Sequence, residues 1–143
     1  MKSSERDKRR SEAQIVRDVF RRLKADGTIV RLEVPLLGRS IDLVYLSGNE
    51  LFSIEFKLND WRHAIEQAKD HRLGIDFAYV CLPRRAISQA FRELLASAGV
   101  GLFFYCRNSP GLIEKVIEAP RSTEVWSVAR TQVYKYVAAL AAK

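Results

Sequence analysis

Two carboxylates and a lysine lie in a predicted pair of β-strands, at positions that bring them together. The strands are predicted over residues 39–46 and 50–58, because β-branched, aromatic and aliphatic residues dominate both. A tight Gly-Asn turn joins them, and the register it imposes places Asp42 opposite Glu55, with β-carbons about 5 Å apart. Lys57 follows Glu55 by two residues and therefore projects from the same face. These three side chains form a candidate catalytic group.

Two carboxylates this close to each other among apolar residues are electrostatically unfavourable. Their charges repel, and burial adds a desolvation cost for each. Lys57 could neutralise one charge but not both, so a hard divalent cation, Mg²⁺ or Mn²⁺, is the simplest means of stabilising Asp42 and Glu55 together. Such an ion could activate a water molecule and stabilise the leaving oxygen of a phosphodiester, while Lys57 orients the water.

An acidic residue on one strand, followed by Glu-x-Lys on its hairpin partner, resembles the motif of the PD-(D/E)XK nuclease superfamily. Here the motif consists of Asp42 and of Glu55-Phe56-Lys57. The resemblance implies that Asp42 and Glu55 bind Mg²⁺ and that Lys57 assists the attacking water. It also implies a restriction-endonuclease-like core with the element order αβββαβ.

The resemblance implies two further active-site residues on helices. Many members carry a glutamate on the first core helix, and Glu12 matches it as a third metal ligand, although Glu5 or Glu33 could take that place. Several branches also have Gln-x-x-x-Tyr on the helix after the lysine strand. Gln67 matches the glutamine, and His71 stands where tyrosine is usual.

Several side chains near the predicted site are candidates for contact with nucleic acid. The predicted phosphate-contacting residues are Arg39, Lys69, His71 and Arg72, with the Arg84-Arg85 pair as a further candidate. Trp61 could stack on a base, but packing in the core is the stronger interpretation.

The elements that must position these residues can be read from periodicity and caps. The predicted elements are a helix from the N-cap Ser11 to Gly27, strands over 28–36, 39–46 and 50–58, a helix from Asn59 or Asp60 to Arg72, a strand over 76–82, a helix over 84–98, a strand over 100–106, an edge strand over 112–119 and a helix from about residue 123. This order predicts an α/β fold with a mixed central sheet flanked by helices on both faces.

Composition predicts a single domain that meets a polyanion. The 143 residues suffice for one core, predicted as a flexible basic arm over 1–10 and a nuclease-like domain over 11–143. The net charge is +7, and the first 24 residues hold nine Lys or Arg against four Asp or Glu. This charge predicts a nucleic-acid partner, DNA in first place. By analogy with restriction enzymes and resolvases, a homodimer would suit a domain of this size.

The remaining features favour a cytoplasmic protein without a membrane role. Cys81 and Cys106 lie in separate apolar runs, which predicts free thiols, and no stretch has the length of a membrane span. The first interpretation is therefore a Mg²⁺-dependent endonuclease that acts on DNA. The alternative is a catalytically silent nucleic-acid-binding or interaction module on the same fold, and the third is a structural domain. The sequence leaves open DNA or RNA, strandedness and cleavage specificity.

Overall fold

The computed structural model describes residues 11–139, so the predicted basic arm over residues 1–10 lies outside the described residues. The elements in chain order are α1 (Glu12–Ala25), β1 (Ile29–Leu36), β2 (Arg39–Ser47), β3 (Glu50–Phe56), α2 (Trp61–His71), β4 (Phe77–Pro83), α3 (Gln89–Ala98), β5 (Gly101–Tyr105), β6 (Ile113–Ile117) and α4 (Ser127–Ala138). The predicted order of elements is confirmed.

The strands form one six-stranded mixed sheet in the order β1-β2-β3-β4-β5-β6. The β3–β4 and β4–β5 pairs are parallel, and the other three pairs are antiparallel. Alternate residues of β4 point to opposite faces: Tyr79 packs in the cluster that contains α1, whereas Val80 packs in the cluster that contains α2 and α3. The predicted α/β class, with a mixed sheet between helices, is confirmed.

Helix α1 begins and ends where the sequence predicts. The Ser11 side chain accepts a hydrogen bond from the Gln14 amide at 3.2 Å, and the Gln14 side chain accepts one from the Ser11 amide at 2.8 Å. This reciprocal capping box satisfies two amide groups that the first helical turn leaves unpaired. Beyond the helix, Gly27 takes a positive φ of 84° that favours glycine.

Helices α3 and α4 begin later than predicted, because other contacts occupy the preceding residues. Ser88 caps α3 by accepting a hydrogen bond from the Phe91 amide, so the predicted start at Arg84 is wrong. Before α4, the amides of Ser122 and Trp126 donate to the carbonyls of Asp76 and Leu73, at 2.7 and 2.8 Å. Those tertiary bonds hold the chain extended where a helix was predicted from about residue 123.

The four described helices are 10 to 14 residues long. Within residues 11–139, no helix combines the length and the apolarity needed to cross a membrane.

A buried ion pair fixes the turn end of the β2–β3 hairpin to α4. Asp76, just before β4, is 5% exposed and accepts hydrogen bonds from the Leu51 amide at 2.7 Å and from Arg130 Nε and Nη2 at 2.9 and 2.8 Å. Arg130 Nη2 also donates to the Asn49 carbonyl at 2.7 Å. Burial raises the pKa of Asp76, but the bonds from Arg130 and Leu51 outweigh it and hold the pKa below 3.8.

We expect Asp76→Asn to lower the free energy of unfolding at pH 7 by about 1.5–3 kcal/mol, because charge-assisted hydrogen bonds lose their charge. A carboxyl with a depressed folded pKa contributes stability above its unfolded pKa and loses it as the pH falls through the folded value. The difference from wild type therefore shrinks below pH 3.8. Urea denaturation at several pH values measures both effects.

The matched control is Asp70→Asn, which removes an exposed ion pair with Arg39. We expect it to cost about 0.5 kcal/mol or less. Equal destabilisation by the two substitutions would show that the Asp76 pair contributes no more than a surface pair.

Candidate active site

The structure brings Asp42 and Glu55 together where the β2–β3 ladder ends. The predicted register holds from the turn to the Leu43–Ile54 pair. Beyond it, Glu55 Oε1 accepts a hydrogen bond from the Asp42 amide at 3.3 Å, and Asp42 Oδ2 accepts one from the Phe56 amide at 3.0 Å. In a regular ladder, a backbone carbonyl would accept each of these two amides. Here a carboxylate accepts each of them instead. The two side chains are held between the diverging strands by backbone donors.

An irregularity in β1 accompanies this divergence. Leu32 packs in the cluster that contains α1, but Val34, two residues further, packs in the cluster that contains α4. In a regular strand these two side chains would share a face. Between them Glu33 has a φ of +50°, a left-handed conformation that costs a non-glycine residue about 1–2 kcal/mol. This strain lies beside the carboxylate pair, since Glu33 and Asp42 line the same cleft.

The environment of the pair opposes full ionisation. Glu55 is only 3% exposed, and burial together with the nearby Asp42 charge raises its pKa from 4.5 to about 8. Burial also raises the pKa of Asp42, although the hydrogen bond from Phe56 acts in the opposite direction. The Lys57 charge lowers both pKa values without cancelling the increase. At neutral pH the pair therefore retains a proton, which a bound cation would displace.

Lys57 and Glu12 border the pair from two different elements. The Lys57 amide donates to the Cys81 carbonyl at 3.2 Å, which carries the chain past the end of β3 beside β4. Glu12 Oε1 accepts a hydrogen bond from the Leu58 amide at 2.9 Å, and this bond ties the first turn of α1 to the same segment. The Glu12 charge acts on Asp42 and raises its pKa. The structure thus gathers the four predicted residues around the end of β3.

Asp42 and Glu55 are the two carboxylates that could hold a divalent cation here. Within residues 11–139, no group of three His, Cys, Asp or Glu side chains lies close enough together to hold a metal ion, and Glu12 as a third ligand stays a prediction. Asp42 and Glu55 nevertheless supply carboxylate oxygens in a site with excess negative charge. Mg²⁺ commonly uses one or two carboxylates and completes its shell with water and phosphate oxygens.

The structure places Gln67 and His71 on the buried side of α2. Gln67 Oε1 and His71 Nδ1 are buried and have no hydrogen-bond partner within the described part of the chain. His71 is 3% exposed, and burial lowers its pKa to about 4, so the ring is uncharged at neutral pH. A neutral, enclosed imidazole is poorly placed for the phosphate contact predicted for His71. Gln67 keeps an unused acceptor, and within residues 11–139 its side-chain oxygen forms no hydrogen bond with Asp42 or Glu55.

The basic residues predicted to contact phosphate are of two kinds: some are exposed, and one is bonded within the fold. Lys69 is exposed, and Arg39 is exposed while its guanidinium pairs with Asp70 at 2.8 Å. Arg72 instead donates to the Ala98 carbonyl at 2.9 Å, a contact that joins α2 to the end of α3. Its guanidinium therefore serves the packing of the fold, which the sequence did not indicate.

Comparison with known proteins gives a distant structural neighbour and no family. No protein-family model matches the chain. No curated protein matches it either. A crystal structure of a protein of unknown function, AF1548, is similar with a TM-score of 0.49 at 15% sequence identity. The match covers 64% of this chain and 58% of the AF1548 chain, so this protein spans little more than half of that neighbour.

We expect Glu55→Gln to raise the free energy of unfolding at pH 9 by about 1–3 kcal/mol, because glutamine keeps the acceptor and has no charge to bury. A carboxyl whose folded pKa is raised contributes stability below its unfolded pKa and loses it as the pH rises through the folded value, here between about 4.5 and 8. The variant and the wild type should differ little at pH 4. Denaturant unfolding at both pH values makes the measurement.

The control is Glu66→Gln, an exposed position on α2 where the same substitution should change stability by less than about 0.5 kcal/mol at either pH. If Glu55→Gln destabilised the protein at pH 9, burial of the charge would not be the dominant cost at this site.

Proposed function

We propose that this protein is a metal-dependent nuclease with a restriction-endonuclease-like core, which hydrolyses phosphodiester bonds of DNA. The observation that carries the proposal is the pairing of the buried Glu55 with the half-buried Asp42 at the divergence of β2 and β3, with Lys57 beside them. The αβββαβ order of the first six elements supports the same superfamily.

The pair itself argues for a function rather than for stability. Placing a half-buried carboxylate beside a buried one carries a desolvation and repulsion cost, and this cost raises the pKa of Glu55 to about 8. Asp42 lines a cleft, and carboxyls with strongly perturbed pKa values at a cleft are characteristic of functional sites. A salt bridge on the surface would have left both side chains exposed and ionised. The arrangement is suited to holding a divalent cation.

In the proposed mechanism, the backbone donors fix the carboxylates before substrate arrives. The Asp42 and Phe56 amides hold the two side chains in place, so Asp42 and Glu55 would bind Mg²⁺ without reorganisation. When bound, Mg²⁺ would supply Lewis-acid stabilisation of the phosphate and of the leaving oxygen. The Lys57 ammonium would orient the attacking water and stabilise negative charge that develops on phosphorus-bound oxygens. Glu12, through Leu58, would keep the Lys57 segment in position.

DNA as the substrate rests on the charge of the chain. A net charge of +7 favours a polyanionic partner, and exposed Lys69 and Arg39 are available on the surface. A homodimer in the cytoplasm remains the prediction for assembly and location. Sedimentation of the purified protein, with and without DNA, tests the assembly.

We expect the protein to cut circular single-stranded or supercoiled duplex DNA with Mg²⁺ or Mn²⁺, and not with EDTA. Asp42→Asn and Lys57→Met should each lower the cleavage rate by at least about 10²-fold, because they remove a metal ligand and the charge that orients water. Gel electrophoresis of the products measures the rate, and cleavage of a circle identifies an endonuclease.

Glu66→Gln is the control for the cleavage assay and should retain the wild-type rate. Cleavage that persists in Asp42→Asn would overturn the assignment of the site. DNA binding without cleavage under every metal condition would favour the silent binding module instead.

We expect Mn²⁺ to raise the thermal midpoint of the wild-type protein, because an ion that binds only the folded state stabilises it by mass action. At about a hundred times its dissociation constant the gain is about 2.7 kcal/mol, a shift of several degrees. Asp42→Asn should lose most of the shift, and Glu12→Gln should retain it if two carboxylates hold the ion. A shift lost equally in Glu12→Gln would identify Glu12 as the third ligand.

A further inference from the structure

A groove of about 410 Å³ lies beside the candidate active site, and three arginines line it. They are Arg84 and Arg85, which follow β4, and Arg107, which follows β5. The rest of the lining is apolar and includes Leu58 and Trp61. The sequence singled out the Arg84-Arg85 pair only as a candidate for phosphate contact and did not indicate Arg107 at all.

The groove adjoins the part of the site that contains Lys57. A smaller cleft lined by Glu12 and Lys57 shares Leu58, Leu82 and Pro83 with the groove. The reason is topological: β3, β4 and β5 run parallel, so the residues that follow them emerge together at the carboxyl end of these strands. In open α/β sheets, ligands bind at the carboxyl ends of the strands.

The charge of the groove is positive and largely uncompensated. None of the residues that line it is acidic. Arg84 pairs with Glu114 on β6. Arg85 and Arg107 are exposed, and in the described part of the chain neither makes a hydrogen bond or an ion pair. Two exposed guanidinium groups without an acidic partner, beside a third, form a site for an anion with several charges.

The strand ends that carry these cations are spaced suitably for a phosphate backbone. Neighbouring strands are about 4.8 Å apart, so the strand ends that carry Lys57, Arg84-Arg85 and Arg107 extend over roughly 10 Å. A nucleic-acid strand carries one charge for about every 3.4 Å of helix axis. The length of this row of strand ends therefore corresponds to two or three consecutive phosphates. Trp61 packs edge-to-face on Phe91, with ring centroids 4.5 Å apart, and forms a rigid apolar wall.

We propose that this arginine groove binds the phosphodiester backbone of the polynucleotide on one side of the bond that is cut. The backbone then runs from Lys57 across the carboxyl ends of β4 and β5, and Arg85 and Arg107 contact its phosphates. The identity of the ligand rests on the proposed nuclease function. The binding itself requires no metal and no cleavage.

The test is equilibrium binding of fluorescent single-stranded and duplex oligonucleotides in EDTA, by anisotropy at several salt concentrations. The variant is Arg85→Gln/Arg107→Gln in the full chain. We expect the slope of log affinity against log salt to decrease by about 1.4 for single strands or about 1.8 for duplex, which corresponds to two lost phosphate contacts. Affinity in 100 mM salt should fall at least about tenfold.

The control is Arg121→Gln/Lys135→Gln, which removes the same charge elsewhere. Arg121 pairs with Glu50, the first residue of β3, and stacks over Phe77, the first residue of β4. It therefore lies at the end of these strands that is opposite to the groove. A control that changes the slope as much as the groove variant would overturn the proposal, because net charge alone would then explain binding. An effect confined to the single strand assigns the groove to unpaired nucleic acid, and an equal effect on both assigns it to the backbone alone.

The nuclease proposal and the groove proposal can fail independently, and the two assays distinguish these failures. Loss of the salt slope in the groove variant, with no cleavage by the wild type, would retain the groove and reject the enzyme. Metal-dependent cleavage with an unchanged slope in the groove variant would retain the enzyme and reject the groove.

Discussion

The hydrogen bonds that hold Asp42 and Glu55 between two diverging strands are the interaction on which the site depends. An antiparallel ladder normally pairs amide with carbonyl, and a strand end that loses those partners in the interior is unstable. Here the carboxylates accept from the amides of Asp42 and Phe56 and so replace the missing acceptors. The same bonds fix both side chains at one point, where two charges would repel each other and the pair therefore keeps a proton at neutral pH.

The rest of the fold compensates for that local cost. At its turn end, the β2–β3 hairpin is held by Asp76 and Arg130 through the Leu51 amide and the Asn49 carbonyl. At the site end, Glu12 holds the segment after β3, and the left-handed Glu33 allows β1 to change face beside Asp42. A hairpin anchored at one end can diverge at the other without losing its register. Strain and buried charge are therefore concentrated at the site and are offset by packing elsewhere.

The positions of the positive side chains follow from the order of the strands. The parallel order of β3, β4 and β5 sends three chain segments out of one edge of the sheet, and each carries a cation. Lys57 lies next to the carboxylates, whereas Arg84, Arg85 and Arg107 lie further along the edge. The arginines are thus separated in space from the carboxylates, so these two sets of charges do not neutralise each other.

The sequence by itself determined the order of elements, the cap of α1 at Ser11, the register of the β2–β3 hairpin and the meeting of Asp42 with Glu55. These features depend on short-range rules: a cap bonds within one helical turn, and a two-residue turn sets the pairing of its strands. Only the tertiary structure decided that Arg72 joins α2 to α3, that His71 is buried and uncharged, and that Arg107 faces the same groove as Arg85. It also decided the late starts of α3 and α4, where bonds to distant residues replace the local helical pattern. Burial and contacts between distant segments depend on how the helices pack against the sheet, and local sequence patterns do not carry that information.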